Sequence, residues 1–296
     1  MNILITGSTG LIGTALKDYL TKSGHTIYSL DRSPQSKSPF HWQPNEDVIA
    51  FDDSISIDAV INLAGSNISG GRWTKAKKKM ILDSRIDSAT LLSNYLSKLQ
   101  SPPKVFISAS AIGFYGDTAD NIADENHTNG SDFLAHVAQK WEEATQPAVD
   151  AGIRTVNLRT GIVLSPNGGA LKQMLTPFKF ALGGVIGGGK QYMSWVSLPE
   201  VCQIVEFILK TESISGPLNM VNPTPVTNYE FTKSLGKALS RPTLFPMPAF
   251  VAKLIFGEMA DALLLTSIRV QPSKLVNAGY KFVDKDLAEA LNAILK

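Results

Sequence analysis

The chain opens on an apolar run, Ile3-Leu4-Ile5, that gives way at Thr6 to a glycine-punctuated stretch, Gly7-Ser8-Thr9-Gly10-Leu11-Ile12-Gly13. Apolar positions then recur at helical spacing through Leu11, Ala15, Leu16, Tyr19 and Leu20, until Gly24-His25 ends the pattern. A second strand follows over residues 26–30 and closes on Asp31-Arg32. Strand-like runs return at residues 59–63, 105–108 and 155–159, and helical stretches over 74–99 and 131–151 separate them. This β-then-α alternation predicts an α/β fold on a doubly wound parallel sheet. Later, residues 216–220 read as a short strand and 229–239 as a helix. Residues 242–274 are helical and apolar with proline breaks, the pattern of a lobe closing over a cleft; Met247, Phe250, Leu254, Phe256 and Met259 read as its core.

The order strand, glycine loop, helix, second strand, terminal acid is what a dinucleotide site requires. The first glycine permits the sharp turn, the second lets a pyrophosphate approach the backbone, and the third lets the helix pack on the sheet. The helix N-terminus offers free N–H groups to phosphate oxygens. The expected cofactor contacts are therefore Gly7, Thr9, Gly10, Leu11, Ile12 and Gly13, with Asp31 or Arg32 at the adenosine end. Asp31 suits the ribose hydroxyls of NAD, whereas Arg32 suits the 2′-phosphate of NADP, so both cofactors stay open. Residues 33–38 read as a polar loop beside the adenosine end. The strand ends at Leu63-Ala64-Gly65 and at Ser108 lie where such sheets bind ligands, and they join the cofactor set.

Composition narrows the class. The 296 residues carry a formal net charge of +2, and the one basic cluster, Lys75 to Lys79, reads as a solvated helix face and not as a nucleic-acid surface. Cys202 is the only cysteine, so an intrachain disulfide is excluded and no cysteine-based metal site is expected. The N-terminus reads as a strand without a targeting signal. The most apolar late stretch, 249–265, is interrupted by Lys253, Glu258 and Asp261. A cytoplasmic protein is expected, with a small-molecule substrate as partner, neither nucleic acid nor membrane, and a homodimer as the oligomeric option.

The GxxGxxG spacing after Thr6 resembles that of the extended short-chain dehydrogenase/reductase superfamily. Three further segments sharpen the likeness: NLAGSNISGGRW with DSR over residues 62–85, GGVIGGGKQYMSWV over 183–196, and GEMA followed by RVQPSKL over 257–275. Together they resemble the atypical, epimerase-like YfcH-type branch, historically labelled cell division inhibitors. The resemblance implies a Rossmann domain over residues 1–165, to which residues 190–215 contribute, and a smaller substrate lobe over 166–296. It also implies NADP(H) binding in some members, an ill-defined activity, and a cofactor contact from Arg85.

Active members of that superfamily pair a tyrosine with a lysine four residues on, the lysine and the nicotinamide ribose lowering the phenol pKa, and add a strand-end serine. The matching helix here, from Ser131 through Glu143, contains no tyrosine. Anchoring the family's glutamate on Glu142 puts Leu134 and Ala138 at the pair's positions; anchoring on Glu143 puts Ala135 and Gln139 there. His136 and Lys140 have the spacing but lie opposite the apolar face, as a solvated pair would. Ser110 and Tyr115 are the candidate catalytic residues. Counting four back from Tyr115 lands on Ala111, so Ser110 takes the serine's role only if the turn bulges. Tyr115 reads equally as structural or substrate-facing, and Tyr192 is a further assisting candidate. Gln191, Ser194 and Trp195 are expected to line the substrate pocket. The leading reading is an NAD(P)-dependent oxidoreductase or epimerase acting on a small polar molecule. The alternative is a non-catalytic dinucleotide sensor.

Overall fold

The computed structural model describes residues 1–32, 38–52 and 54–295. Of the expected polar loop at 33–38, residues 33–37 lie outside the described residues. Seven strands succeed one another in the first half: β1 (Asn2–Thr6), β2 (Thr26–Asp31), β3 (Phe40–Gln43), β4 (Val48–Ala50), β5 (Ala59–Asn62), β6 (Val105–Ala111) and β7 (Arg154–Thr160). The second half adds β8 (Ile162–Leu164), β9 (Tyr192–Met193), β10 (Trp195–Ser197), β11 (Gly216–Met220) and β12 (Val226–Thr227). Eight of them form one sheet in the order β11-β7-β6-β5-β1-β2-β3-β4. Every pairing in it is parallel except the β3–β4 hairpin at the edge. The chain runs outward from β1 to β2 and β3, then crosses back to lay β5 on the other side of β1. The order therefore reverses between β1 and β5, and a crevice opens beyond their carboxyl ends.

The helices follow from the alternation. α1 (Leu11–Lys22) and α2 (Lys75–Leu96) link the first strands, and α3 (Phe133–Glu143) and α4 (Gln146–Asp150) lead into β7. The predicted single helix over 131–151 is thus two helices, because Pro147 sits at the start of α4 and its missing N–H belongs at a first turn. α5 (Gly169–Lys179), α6 (Leu198–Lys210) and α7 (Asn228–Ala238) come next, then α8 (Ala249–Phe256), α9 (Glu258–Ala260), α10 (Ser273–Asn277) and α11 (Leu287–Leu295).

Side chains of successive strand residues point to opposite faces, so each strand feeds two cores. Ile3, Ile5, Ile61, Ile107 and Val156 pack with Leu16 and Leu20 of α1 and with Val201, Ile204 and Val205 of α6. Leu4, Val60 and Phe106 pack with Leu91, Leu92 and Leu96 of α2 on the other face. α6 and β11 show that the late chain returns to the sheet beyond the expected 190–215, as far as Met220. A third core around Trp195, Phe231 and Leu235, with Leu171 and Leu291, builds the smaller lobe. Two of its expected core residues are corrected: Phe250 and Leu254 of α8 are exposed. Among the described residues no helix is long and apolar enough to cross a membrane.

Candidate dinucleotide site

The turn after β1 is built around glycine for steric reasons. Gly7 has φ +65°, a conformation costly for any residue with a Cβ, and a Cβ there would stand 2.8 Å from the Leu63 carbonyl oxygen. A Cβ on Gly13 would stand 2.2 Å from the Gly7 carbonyl oxygen, so only glycine lets α1 start this close to the turn. The Gly10 amide donates to Gly7 at 3.0 Å and the Thr14 amide to Gly10 at 2.9 Å. The amides of Leu11, Ile12 and Gly13 lie in the first turn, where the helix itself offers them no acceptor. Gly10, the N-cap, supplies no capping side chain, and both Thr9 and Gly10 are exposed at the crevice. A turn of this geometry, with first-turn amides that lack helical acceptors, is the kind that accepts phosphate oxygens.

The β1 and β5 ends are stitched into a shelf beside that turn. Thr6 Oγ1 donates to Asn62 Oδ1 at 2.7 Å and accepts from the Leu63 and Ala64 amides at 3.0 and 3.2 Å. Ser108, buried on β6, accepts from Asn62 Nδ2 at 3.5 Å, so it acts as the far end of this network. Ser8 Oγ lies 3.5 Å from Asp31 Oδ1, which ties the acid at the end of β2 to the glycine turn. Arg32 is exposed and lines a shallow cavity with His41 and Gln43 of the β3–β4 hairpin. Arg85 of α2 lies against Gly65, where a Cβ would be 3.3 Å from its guanidinium carbon. It donates to the Ile81 and Ser66 carbonyls at 2.9 and 3.1 Å and stacks over Trp141 at 5.0 Å. Among the described residues no carboxylate pairs with it, and burial pushes its pKa down to about 10. A desolvated, unneutralised cation at the mouth of an amide cradle fits an anionic dinucleotide.

Beyond the crevice, β6, α3 and β7 meet in a buried polar chain. Ser110 Oγ donates to Glu142 Oε1 at 2.7 Å, and Arg159 meets the same carboxylate through Nε and Nη2, both at 2.9 Å. Arg159 Nη1 donates to the Tyr115 oxygen at 2.9 Å, and the Tyr115 hydroxyl donates to Asn219 Oδ1 at 2.7 Å. The guanidinium also lies 3.5 Å above the Phe114 ring. Burial pushes the Tyr115 phenol up to about 12 despite the opposing pull of Arg159. Burial works against the charge on Arg159, but Glu142 overrides it and the pKa ends above its usual value.

The family model described as the NAD dependent epimerase/dehydratase family matches residues 3–221. The chain belongs to that family. A second model, a domain of unknown function (DUF1731), matches residues 247–294. An epimerase family protein of Mycobacterium leprae is 41% identical over 291 residues, covering 98% of this chain and 94% of the relative. The crystal structure of human epimerase family protein SDR39U1 with NADPH superposes with TM-score 0.92 at 33% identity, over 99% of both chains. A nucleoside-diphosphate sugar epimerase from Corynebacterium glutamicum superposes at TM-score 0.82 and 32% identity over all of this chain and 58% of its own.

For an epimerase/dehydratase family member the groups beyond the cradle are unusual. β6 pairs with β7 in unbroken register, Ser110 opposite Arg159 and Ala111 opposite Thr160. The strand therefore runs without a bulge as far as Ala111, the Ser110 side chain is buried against Glu142, and the turn that follows is the 3-10 segment Ile112–Tyr115. Neither register of α3 supplies the pair: Leu134 and Ala138 stand at its positions in the first, Ala135 and Gln139 in the second. Leu134 packs among Trp73, Ile81 and Val137, and Ala138 is buried. His136 and Lys140 are exposed, Lys140 pairing with Glu143 at 2.7 Å.

The polar atoms of the three residues expected to line the substrate pocket are bonded within the protein. Gln191 donates to the Ile186 and Leu264 carbonyls at 3.0 and 2.9 Å. Ser194 donates to Ile268 at 2.9 Å and accepts from the Val270 amide at 2.9 Å; Trp195 donates to Thr224 at 3.0 Å. All three are buried, and their polar atoms lash the 264–270 segment and the loop before β12 to the smaller lobe. Tyr192, half-buried, lies under the Arg269 guanidinium at 4.4 Å. Pattern reading passed over Arg159, Asn219 and Glu125, and used Glu142 only as an anchor for the helix register. The signal for them was an arginine at the end of an interior strand, which needs a buried carboxylate near it.

Proposed function

We propose that this protein is a nicotinamide-dinucleotide-binding member of its family that senses or carries the cofactor without tyrosine–lysine-assisted turnover. The observation that carries the reading is that α3 offers no tyrosine in either register, with Leu134 and Ala138 or Ala135 and Gln139 at the pair's positions, beside the glycine turn at the head of α1. A bound nicotinamide would bring a hydride donor or acceptor. The chain's own part is to hold the diphosphate on the Leu11–Gly13 amides, to face it with Arg85, and to set the adenosine against Asp31 and Arg32. The absence of a positioned acid/base forfeits about 10²–10⁴ in rate. Burial pushes the Tyr115 phenol up to about 12 and its hydrogen bonds go to Arg159 and Asn219, which supports a structural role for it. The exposed Arg32 supports NADP(H) over NAD(H), as does NADPH in the human relative.

The oxidoreductase reading has one observation of its own. With its proton given to Glu142, Ser110 has only acceptor capacity left, which suits a substrate hydroxyl and not a carbonyl.

Fluorescence titration with NADPH and NADH, followed by a screen of nucleotide sugars and small carbonyl compounds at 340 nm, tests the proposal. Saturable binding that favours NADPH is expected, with that preference reduced in Arg32→Ala, and no turnover. Turnover by the wild type that Ser110→Ala removes would establish the oxidoreductase instead.

A further inference from the structure

The expected core residues that the fold leaves in solvent belong to a larger feature. Phe180, Leu182, Leu244, Phe245, Phe250 and Leu254 are each between 61% and 74% exposed. They lie on two segments that run side by side. The Gly187 amide donates to Met247 at 2.9 Å, the Met247 amide donates to Val185 at 2.8 Å, and Ile186 bridges Met247 in parallel. A Cβ on Gly184 would collide with the Phe245 carbonyl. α8, which carries Phe250 and Leu254 one helical turn apart, starts directly after this pairing. The pairing thus brings the six side chains to one side of the smaller lobe, with Leu254 beside Arg72 of the loop before α2, and large apolar side chains grouped in this way mark an interaction surface.

Charge says what this side faces. The two segments with α5 and α7, residues 169–190 and 229–257, carry seven lysines and arginines against one carboxylate, Glu230. The other residues carry 21 basic against 25 acidic side chains, so a chain of net +2 is a +6 surface on a −4 body. Two of the cations stand beside the apolar side chains: Arg241 Nε donates to the Lys179 carbonyl at 3.0 Å, immediately beside Phe180. Lys233 binds the Thr243 hydroxyl at 2.9 Å, one residue before Leu244. Lys253 is paired, with Asp261 at 2.8 Å, which lies outside these segments. A two-fold contact between copies would set this cationic surface against itself, which opposes a second copy as occupant.

We propose that this apolar, cation-rich side of the smaller lobe docks on the surface of an anionic phospholipid bilayer, the six side chains entering the interface and the lysines and arginines meeting the headgroups. Peripheral docking needs no spanning segment; it needs apolar tips and positive charge together, and the two act jointly. The expectation that no membrane partner exists came from spanning patterns, which this surface does not use. The inference stands apart from the cofactor reading, since none of the cradle residues contributes to this surface.

Flotation of the full chain with vesicles of phosphatidylcholine alone or with 30% phosphatidylglycerol tests it. Binding to the anionic vesicles at low salt is expected, at least tenfold weaker with phosphatidylcholine alone and weakened again by 0.5 M NaCl. A Leu244→Ser, Phe245→Ser, Phe250→Ser variant should lose at least tenfold, and Lys179→Glu with Arg241→Glu should do the same. Val283→Ser, another exposed apolar residue outside the two segments, should bind as wild type does. NADPH titration of each variant verifies folding. No binding to anionic vesicles overturns the proposal, as does equal binding to both compositions. A concentration-dependent dimer that the triple variant abolishes would assign the surface to a second copy, and capture of an acidic protein without vesicle binding would assign it to that class.

Discussion

At the scale of single residues the cradle leaves little freedom. Gly7 and Gly13 are fixed by collisions with backbone at 2.8 and 2.2 Å, and backbone cannot rotate away as a side chain does. Gly10 differs, because a Cβ there would meet only the Gly7 carbonyl, at 3.2 Å, and would otherwise face the crevice. It is the position at which side-chain chemistry can be changed with least damage to the turn. Gly10→Asp is expected to lower NADPH affinity at least a hundredfold, by setting a carboxylate where the diphosphate belongs. Calorimetric titration measures this, and a thermal midpoint close to wild type in the absence of ligand would show that the turn survived. Unchanged affinity would remove the turn from the site. This part was legible in the sequence because glycine identity records a steric constraint one residue at a time. The same holds for Asp31 at the end of β2, where element order alone located an acid.

At the scale of elements the reading of the sequence succeeded and failed for opposite physical reasons. β1, β5 and the start of β6 are near-continuous apolar runs, as strands buried on both faces are, and these and the more mixed β2 and β7 are found within a few residues. The β3–β4 hairpin was missed because its four- and three-residue strands are too short to show a period. The contact of Ser110 with Glu142 was not legible either, because it depends on how α3 packs on β6, and packing is a property of two elements. The same packing explains Glu142. Its side chain is 12% exposed and that of Arg159 4%, so the ion pair joining β6, α3 and β7 is held in a medium of low polarity. Removing one partner of such a pair strands the other charge. Glu142→Leu is expected to cost about 3–5 kcal/mol, read from urea denaturation. Adding Arg159→Met should recover part of that loss, since no unpaired charge then remains. A single-variant loss below about 1 kcal/mol would show that water reaches Arg159 and that the pair does not organise the three elements.

At the scale of the whole molecule, buried tyrosines tie the late chain back to the sheet. Tyr115, on the 3-10 turn after β6, reaches Asn219 of β11, whose amide donates at 3.1 Å to Glu125, and Glu125 in turn accepts from the Lys274 amide at 3.2 Å. Tyr280 donates to Glu200 of α6, which also accepts the Val283 and Asp284 amides at 3.0 and 2.9 Å. These ties were illegible in the sequence, because their partners lie 80 or more residues apart. They make assembly of the molecule depend on two phenols staying protonated. Burial raises the pKa of both, Tyr115 to about 12 and Tyr280 further, helped there by Glu200. An unfolded tyrosine loses its proton near pH 10, so above that pH the unfolded chain releases protons that the native one keeps, and stability falls as pH rises. For Tyr115 the contribution is complete below pH 10 and fades as pH climbs to about 12. Two pKa units correspond to about 3 kcal/mol. Urea midpoints from pH 8.5 to 11.5 should therefore decline steeply in the wild type. Tyr115→Phe should start lower, having lost its bonds to Arg159 and Asn219, and decline less. Parallel declines would mean that the Tyr115 phenol is reached by hydroxide in the native state, and that β11 is not held closed over it.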